Sequence, residues 1–397
     1  MISERMKKLT QGNSAIRAMF EEGNRLAAQY GRENVFDFSL GNPNFPAPAS
    51  FKKAVIDIME NMDPVTVHGY MSNSGFESTR TAVANSLNRR FGTAFTAANI
   101  VMTVGAAGGM NCIFKTLLNP GDEVIAIRPY FVDYRNYVGN YDGVLVEAPA
   151  RALDFQPDCE AMEKVITPQT KAVIVNTPNN PTGVIYSEAS IRALAALLER
   201  KQKEYGTTIF LVSDEPYREL AYDGCTVPYL TKYYKNTVVC YSWSKSLSLP
   251  GERIGYLVIP SEVDDFELVS SAAVIANRVI GFINAPSLMQ LAVERCVDDT
   301  AELSRYDENR RLLYDSLTKF GYECVLPQGA FYMWVKTPTE DDKAFVSAAV
   351  KYNILVVPGS AFAGPGYVRI AYCVARSTIE KALPGFEKLA EEFGLKK

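Results

Sequence analysis

Lys245 stands in the run Tyr241-Ser-Trp-Ser-Lys-Ser-Leu-Ser, among hydroxyls and small residues rather than on a charged helix face, and Arg253 follows eight residues later. An amine in such a setting can lose its proton and attack a carbonyl, forming a Schiff base. A solvated loop lysine beside a structural arginine is the other use of the same pair. Asp214 lies in Ser213-Asp-Glu-Pro-Tyr217, directly after the apolar run Ile209-Phe-Leu-Val. A carboxylate delivered by a buried strand calls for a cationic ligand, a metal or a basic side chain, because an unpaired buried charge is costly; a helix N-cap is the alternative employment for Asp. Asn176-Thr-Pro-Asn-Asn-Pro-Thr-Gly183 is too rich in Pro and Asn to continue a strand. Its amides can donate and accept hydrogen bonds, although Asn-Pro is also an ordinary turn former. Finally, Thr103-Val-Gly-Ala-Ala-Gly-Gly-Met110 offers free backbone N–H groups where a strand gives way to a helix, which suits a phosphate. It has neither the dinucleotide nor the P-loop glycine spacing, and tight helix packing accounts for its small residues equally well.

These clusters need a scaffold. From about residue 99 the chain alternates short apolar runs, beginning at Asn99, Glu123, Ala172, Ile209, Val238 and Gly255, with helix-compatible stretches at 107–118 and 188–205. Ser187 can cap the second stretch, and Asn119-Pro-Gly-Asp122 stops the first. Continuous apolar strands joined by helices imply an α/β fold with a mostly parallel central sheet, whose ligand sites lie at the carboxyl ends of the strands. Past about residue 290 a charged helical stretch (290–319) leads to runs at Phe331, Ile354 and Val368 interleaved with helical 340–352 and 377–393, a second, smaller α+β domain. The division expected is 1–45 as an N-terminal arm and part of the small domain, 46–289 as the large domain, and 290–397 as the C-terminal small domain.

Composition narrows the function. The 397 residues carry 41 Lys plus Arg against 45 Asp plus Glu, a net charge of −4, so nothing marks a nucleic-acid or anionic-membrane surface. A small solute is the expected partner. The single histidine, His68, cannot build a multi-histidine metal site, and seven scattered Cys without a Cys-x-x-Cys pair read as reduced thiols rather than as a disulfide framework or zinc cage. The charged N-terminus lacks the apolar block of a signal peptide, and no run approaches the ~18 apolar residues of a spanning helix, so a cytoplasmic protein is expected.

Taken together, Asn-Asn-Pro-Thr-Gly, then Ser-Asp-Glu-x-Tyr, then Ser-x-Ser-Lys with Arg eight residues on, then a late Arg-Ile, resemble the fold type I, class I/II aminotransferases that use pyridoxal 5′-phosphate, of the aspartate aminotransferase kind. The resemblance spans about residues 12–395. It implies that the large domain binds the cofactor, that Lys245 holds it covalently and later shuttles the substrate proton, and that Asp214 pairs with its ring nitrogen. Tyr217 and Asn180 match the groups on the ring's 3-oxygen, and Phe131 in Arg128-Pro-Tyr-Phe matches the aromatic stacked on the ring. Ala106, Ala107, Ser242 and Arg253 match the phosphate donors, where Arg's planar fork suits a dianion. Tyr70 resembles the tyrosine that reaches this phosphate from the other subunit, implying a homodimer with shared active sites. Arg369, with Asn180 and Gly41, matches the anchor of the substrate α-carboxylate. In some aspartate-acting relatives a Lys stands where Ala107 does, so acidic-substrate recognition by that route is in doubt here. Arg17, Asn277 and Arg278 are assigned no role.

The leading expectation is therefore a ping-pong exchange between an L-amino acid and a 2-oxo acid through pyridoxamine phosphate. A β-C–S lyase acting on cystathionine-type substrates needs the same Lys245, Asp214 and Arg369. An effector-sensing domain of a transcription regulator would need a DNA-binding module, for which the roughly 40 residues before the large domain show no basic enrichment.

Overall fold

The computed structural model describes residues 2–11 and 15–395; Met1, residues 12–14, the last two residues and the side chains of residues 11 and 15–17, Arg17 among them, lie outside the described residues. The chain divides into two compact units. The larger comprises Phe45–Asn179 and Val184–Leu303, and the smaller Met1–Asn44, Asn180–Gly183 and Ser304–Lys397.

Strand β1 (Phe36–Asp37) belongs to the smaller unit. The larger unit holds β2 (Ile100–Thr103), β3 (Glu123–Arg128), β4 (Val144–Pro149), β5 (Thr170–Asn176), β6 (Phe210–Asp214), β7 (Thr237–Ser242) and β8 (Gly255–Val258). They form one sheet in the order β2-β8-β7-β6-β5-β3-β4, in which β8 alone runs against its neighbours. Every residue of β2, β6, β7 and β8 is buried, as expected of strands covered by helices on both faces. Six of these strands coincide with the apolar runs read from the sequence. The seventh, β4, is an edge strand paired only with β3 and mostly half-buried, so it lacks the continuous apolar signature. The helix Glu188–Tyr205 begins as anticipated, with Ser187 Oγ accepting from Ser190 N–H at 3.1 Å, and closes on Gly206 in the left-handed region. No helix among the described residues is long and apolar enough to cross a membrane.

The domain boundary expected at residue 290 needs correction. It falls inside a helix, Ser287–Glu294, that packs on Ala49–Asn61 and Glu77–Phe91 in the larger unit. The 290–319 stretch is two helices, Ser287–Glu294 and Ser304–Lys319, and the division comes between Leu303 and Ser304. Gln290 explains the misreading: a polar residue that reads as surface is fully buried, its Oε1 accepting from Phe76 N–H at 2.9 Å and its Nε2 donating to the Ala285 carbonyl at 2.8 Å. A second difference is the assignment of Asn180–Gly183 to the smaller unit.

In that unit β9 (Cys324–Val325), β10 (Tyr332–Lys336), β12 (Val357–Pro358) and β13 (Tyr367–Ala371) form an antiparallel sheet ordered β12-β13-β10-β9, while β1 pairs in parallel with β11 (Ile354–Leu355). Arg369 sits in the interior strand β13, opposite Trp334 on one side and Val357 on the other.

Candidate active site

Strand register aligns candidate residues of the larger unit along one edge of its sheet. Asn176 ends β5 opposite Asp214, which ends β6 and faces Cys240 of β7. Two residues further, Ser242 ends β7 opposite Gly255, which begins the reversed β8 and pairs on its other side with Thr103 at the end of β2. Carboxyl ends of parallel strands thus gather the four sequence clusters, the placement that open α/β sheets favour for ligands.

Asp214 is buried. Its Oδ2 accepts from Tyr134 Oη at 2.6 Å, and the Asn176 side-chain amide donates to its backbone carbonyl at 2.8 Å. Among the described residues no ion pair reaches it. Burial raises its pKa from 3.8 to about 7, the Tyr134 bond pulling the other way and the neighbouring Glu215 charge adding to the rise. Burial likewise holds the Tyr134 phenol well above its ordinary value, with the Asp214 charge reinforcing it, so this phenol remains a donor. Tyr217 is buried three residues after Asp214 ends β6, and Phe131 stands edge-on to Tyr134 with ring centroids 5.7 Å apart.

Ala106 and Ala107 lie in the first turn of the helix Gly105–Leu117, which has no side-chain cap, leaving N–H groups of that turn for a ligand or water. Gly105, at φ +68°, makes the turn into it, and a Cβ there would lie 3.1 Å from Arg253 Nη2. The Arg253 guanidinium therefore lies beside this helix start. Arg253 itself is exposed, in the left-handed region, and its Nη1 donates to the Pro250 carbonyl at 2.9 Å. Ser242 is the residue before the short helix Trp243–Ser246, on which Lys245 is half-buried. Tyr70, by contrast, is 89% exposed.

The smaller unit assembles a different group. Arg369 is buried on β13, its Nη1 donating to Asn180 Oδ1 at 3.0 Å and its Nη2 to the Ser39 carbonyl at 2.6 Å. Its guanidinium carbon lies over the rings of Tyr332, 4.4 Å from the centroid, and Phe362, at 4.7 Å. Gly41 follows Ser39 by two residues and has no room for a side chain, since a Cβ would sit 2.0 Å from Tyr332 Oη. Gly41, Asn180 and Arg369 thus share the smaller unit, while the other nine candidate residues share the larger.

The sequence matches the family model for aminotransferase class I and II over residues 33–386. The chain is a class I/II aminotransferase. The solved structure of an aminotransferase from Eubacterium rectale superposes with a TM-score of 0.97 at 46% identity, covering 99% of both chains. The aspartate/prephenate aminotransferase of Thermus thermophilus is 32% identical over 92% of this chain and 94% of its own, and the aspartate aminotransferase of Pyrococcus horikoshii 30% identical over 95% of each. A T. thermophilus aspartate aminotransferase solved with maleate gives a TM-score of 0.85 at 29% identity, covering 98% and 99%. The fold is that of fold type I enzymes, and relatives so named do not favour the lyase alternative.

Sequence reasoning missed several side chains that this aminotransferase places against the candidate residues. Tyr134, three residues after Phe131, is the hydrogen-bond donor to Asp214; its signal was a third aromatic at helical spacing in Tyr130-Phe131-Val-Asp-Tyr134. Asn176, read only as the start of a loop, ties Asp214's backbone. Tyr332 and Phe362, which look like core, flank Arg369, and Asp342 secures the Phe362 turn by accepting from Ser360 N–H at 2.6 Å.

Proposed function

We propose that this aminotransferase moves an amino group from an L-amino acid to a 2-oxo acid by a ping-pong cycle on pyridoxal 5′-phosphate, as a homodimer with shared sites. Asp214 carries the reading. A carboxylate held at a strand end by burial, with a phenol and, among the described residues, no ion pair against it, fits a protonated ring nitrogen as its counter-charge. The phosphate would be held by the Ala106 and Ala107 N–H groups, the Ser242 hydroxyl and Arg253, a reading supported by the approach of Arg253 to the glycine that starts the helix. Tyr217 and Asn180 would bond the ring's 3-oxygen, and Phe131 would stack on the ring.

When bound, the cofactor supplies an electron sink that makes the substrate's Cα proton acidic. Lys245 would hold it covalently through Nζ, and the same amine, when free, would move the proton off Cα as general base. Asp214 would keep the ring nitrogen protonated, and the Tyr134 hydrogen bond would fix the carboxylate's orientation. Arg369 binds the substrate α-carboxylate with both terminal nitrogens, helped by Asn180 and the Gly41 backbone. The flanking Tyr332 and Phe362 rings hold the guanidinium plane, and its charge is what a carboxylate needs. Tyr70 reaches the phosphate in a second copy of the chain, a role that its near-complete exposure leaves open to it. Seven cysteines, none in a disulfide among the described residues, support a reducing, cytoplasmic setting.

A panel of amino donors with 2-oxoglutarate or pyruvate tests the reading. Aspartate comes first because relatives are named for it, while Ala107 offers no cation for a second carboxylate. Amino-group transfer that requires the added keto acid supports the proposal, and release of pyruvate and ammonia from a single amino acid contradicts it.

A further inference from the structure

A chain of polar side chains, buried except for Arg90, links the segment after Asp214 to the helix that carries Lys245, and none of its members belongs to the candidate site. Glu215, next to Asp214, accepts from Ser213 Oγ at 2.7 Å and from Arg218 Nη1 at 2.8 Å. Arg218, its side chain 3% exposed, also donates from Nη2 to Tyr256 Oη at 2.9 Å and lies 3.4 Å from Glu219 Oε1. Glu219 receives Arg90 Nη2 at 2.7 Å and, on its other oxygen, Tyr241 Oη at 3.0 Å. Tyr241 Oη and Ser246 Oγ are 2.7 Å apart, and Ser246 is next to Lys245. The path therefore starts one residue from the acid and ends one residue from the amine.

The network is costly to bury unless each member is satisfied, and it is satisfied. Two carboxylates face two guanidinium groups, so charge balances. Arg218 lies over the rings of Phe91, Tyr229 and Tyr241, at 5.2, 5.6 and 4.4 Å. An apolar core could pack β6 against β7. Backbone pairing ties β6 to β7 only as far as Glu215 N–H on the Cys240 carbonyl, at 2.8 Å; beyond it, side-chain hydrogen bonds add distance and angle constraints between the segment after β6 and the helix after β7 that apolar contacts do not.

We propose that Glu215, Arg218, Glu219, Tyr241 and Ser246 act as positioning residues, a polar brace that sets the separation between the Asp214 carboxylate and the Lys245 amine. The inference rests on the roles given to those two residues under Proposed function. Tyr241 is the joint: it meets Glu219 and Ser246 through one oxygen, while its ring packs against Trp243 and Tyr256. Losing that oxygen leaves the ring and the β6–β7 backbone pairing in place and removes the side-chain link between Lys245's segment and Asp214's.

Tyr241→Phe, Ser246→Ala and the double variant test this in the holoenzyme. The brace requires Tyr241→Phe to lower kcat about tenfold while KM changes less than about twofold, and the double variant to lose no more than the worse single one, since both cut the same link. Amide hydrogen exchange in 243–249 should rise in the cofactor-free Tyr241→Phe protein, and its dissociation constant for pyridoxal phosphate, read by Trp fluorescence, should rise severalfold. A Tyr241→Phe protein with lowered thermal stability but unchanged kcat per bound cofactor would overturn the brace, as would fully multiplicative losses. If Lys245→Ala also keeps turning over, the reading of the active site falls as well; if Lys245→Ala is dead while Tyr241→Phe is normal, the brace alone falls.

Discussion

Asp214→Asn in the cofactor-free protein should be stabilising, and increasingly so as pH rises. The carboxyl's pKa moves from 3.8 to about 7 on folding. A raised acid means that the folded state holds the proton more tightly than the unfolded chain, so this group's contribution is least unfavourable below 3.8 and its cost grows as pH climbs to about 7. At ~1.4 kcal/mol per pH unit the full cost is ~4 kcal/mol above pH 7, and ~3 kcal/mol of it develops between about pH 5 and about pH 8. Asparagine removes the charge and keeps an oxygen to accept the Tyr134 bond. Urea unfolding of the two cofactor-free proteins should therefore show the variant gaining up to ~3 kcal/mol on the wild type between those two pH values. The variant should also bind pyridoxal phosphate poorly and turn over slowly, having traded the cofactor's counter-charge for stability. A gap between the proteins that is the same at both pH values would refute the burial argument and, with it, the reason for seating a cation opposite this residue.

Other expectations follow from single contacts. Tyr134→Phe deletes the hydrogen bond that lowers the Asp214 pKa, so its protonated-carboxyl infrared band in the cofactor-free protein should titrate at higher pH than in wild type; an unmoved or lowered midpoint would deny the Tyr134 contact its role. Arg369→Lys replaces a two-point carboxylate contact by one, and a loss of ~2–3 kcal/mol predicts KM values raised ~30–150-fold for every amino acid alike, with kcat affected far less. A rise confined to one substrate would place Arg369 against a side chain instead. Tyr70→Ala and Lys245→Ala chains, each weak or inactive alone, should regain about a quarter of wild-type activity when mixed and reassorted, because half the dimers then carry one complete site. Absence of any recovery would remove Tyr70 from the partner's site.

The sheet was legible because strands covered on both faces must be apolar throughout, and runs such as Val173-Ile-Val and Phe210-Leu-Val have few other uses. The placement of the candidate clusters was legible for a related reason: Asn176, Asp214 and Ser242 end such strands, where polar residues interrupt an apolar pattern. What escaped had no such contrast. Strand β4 is half-exposed at the sheet edge, so its pattern is diluted. Gln290 is a polar residue spent on a buried turn, which made a larger-unit helix look like the start of the next domain. Tyr134 and Tyr332 are aromatics whose polar or π contacts cannot be told from packing until distances are known. The brace through Glu215 and Arg218 was hidden because Glu-Pro-Tyr-Arg-Glu reads as solvated charge, and only burial turns those charges on one another.

The most direct test is chemical. Purified protein incubated with pyridoxal phosphate, reduced with borohydride and digested should yield one peptide bearing the phosphopyridoxyl mass on Lys245, and the Asp214→Asn protein should yield less of it at equal cofactor concentration. An unlabelled Lys245, or label distributed over exposed lysines and insensitive to Asp214, would contradict the account at its centre.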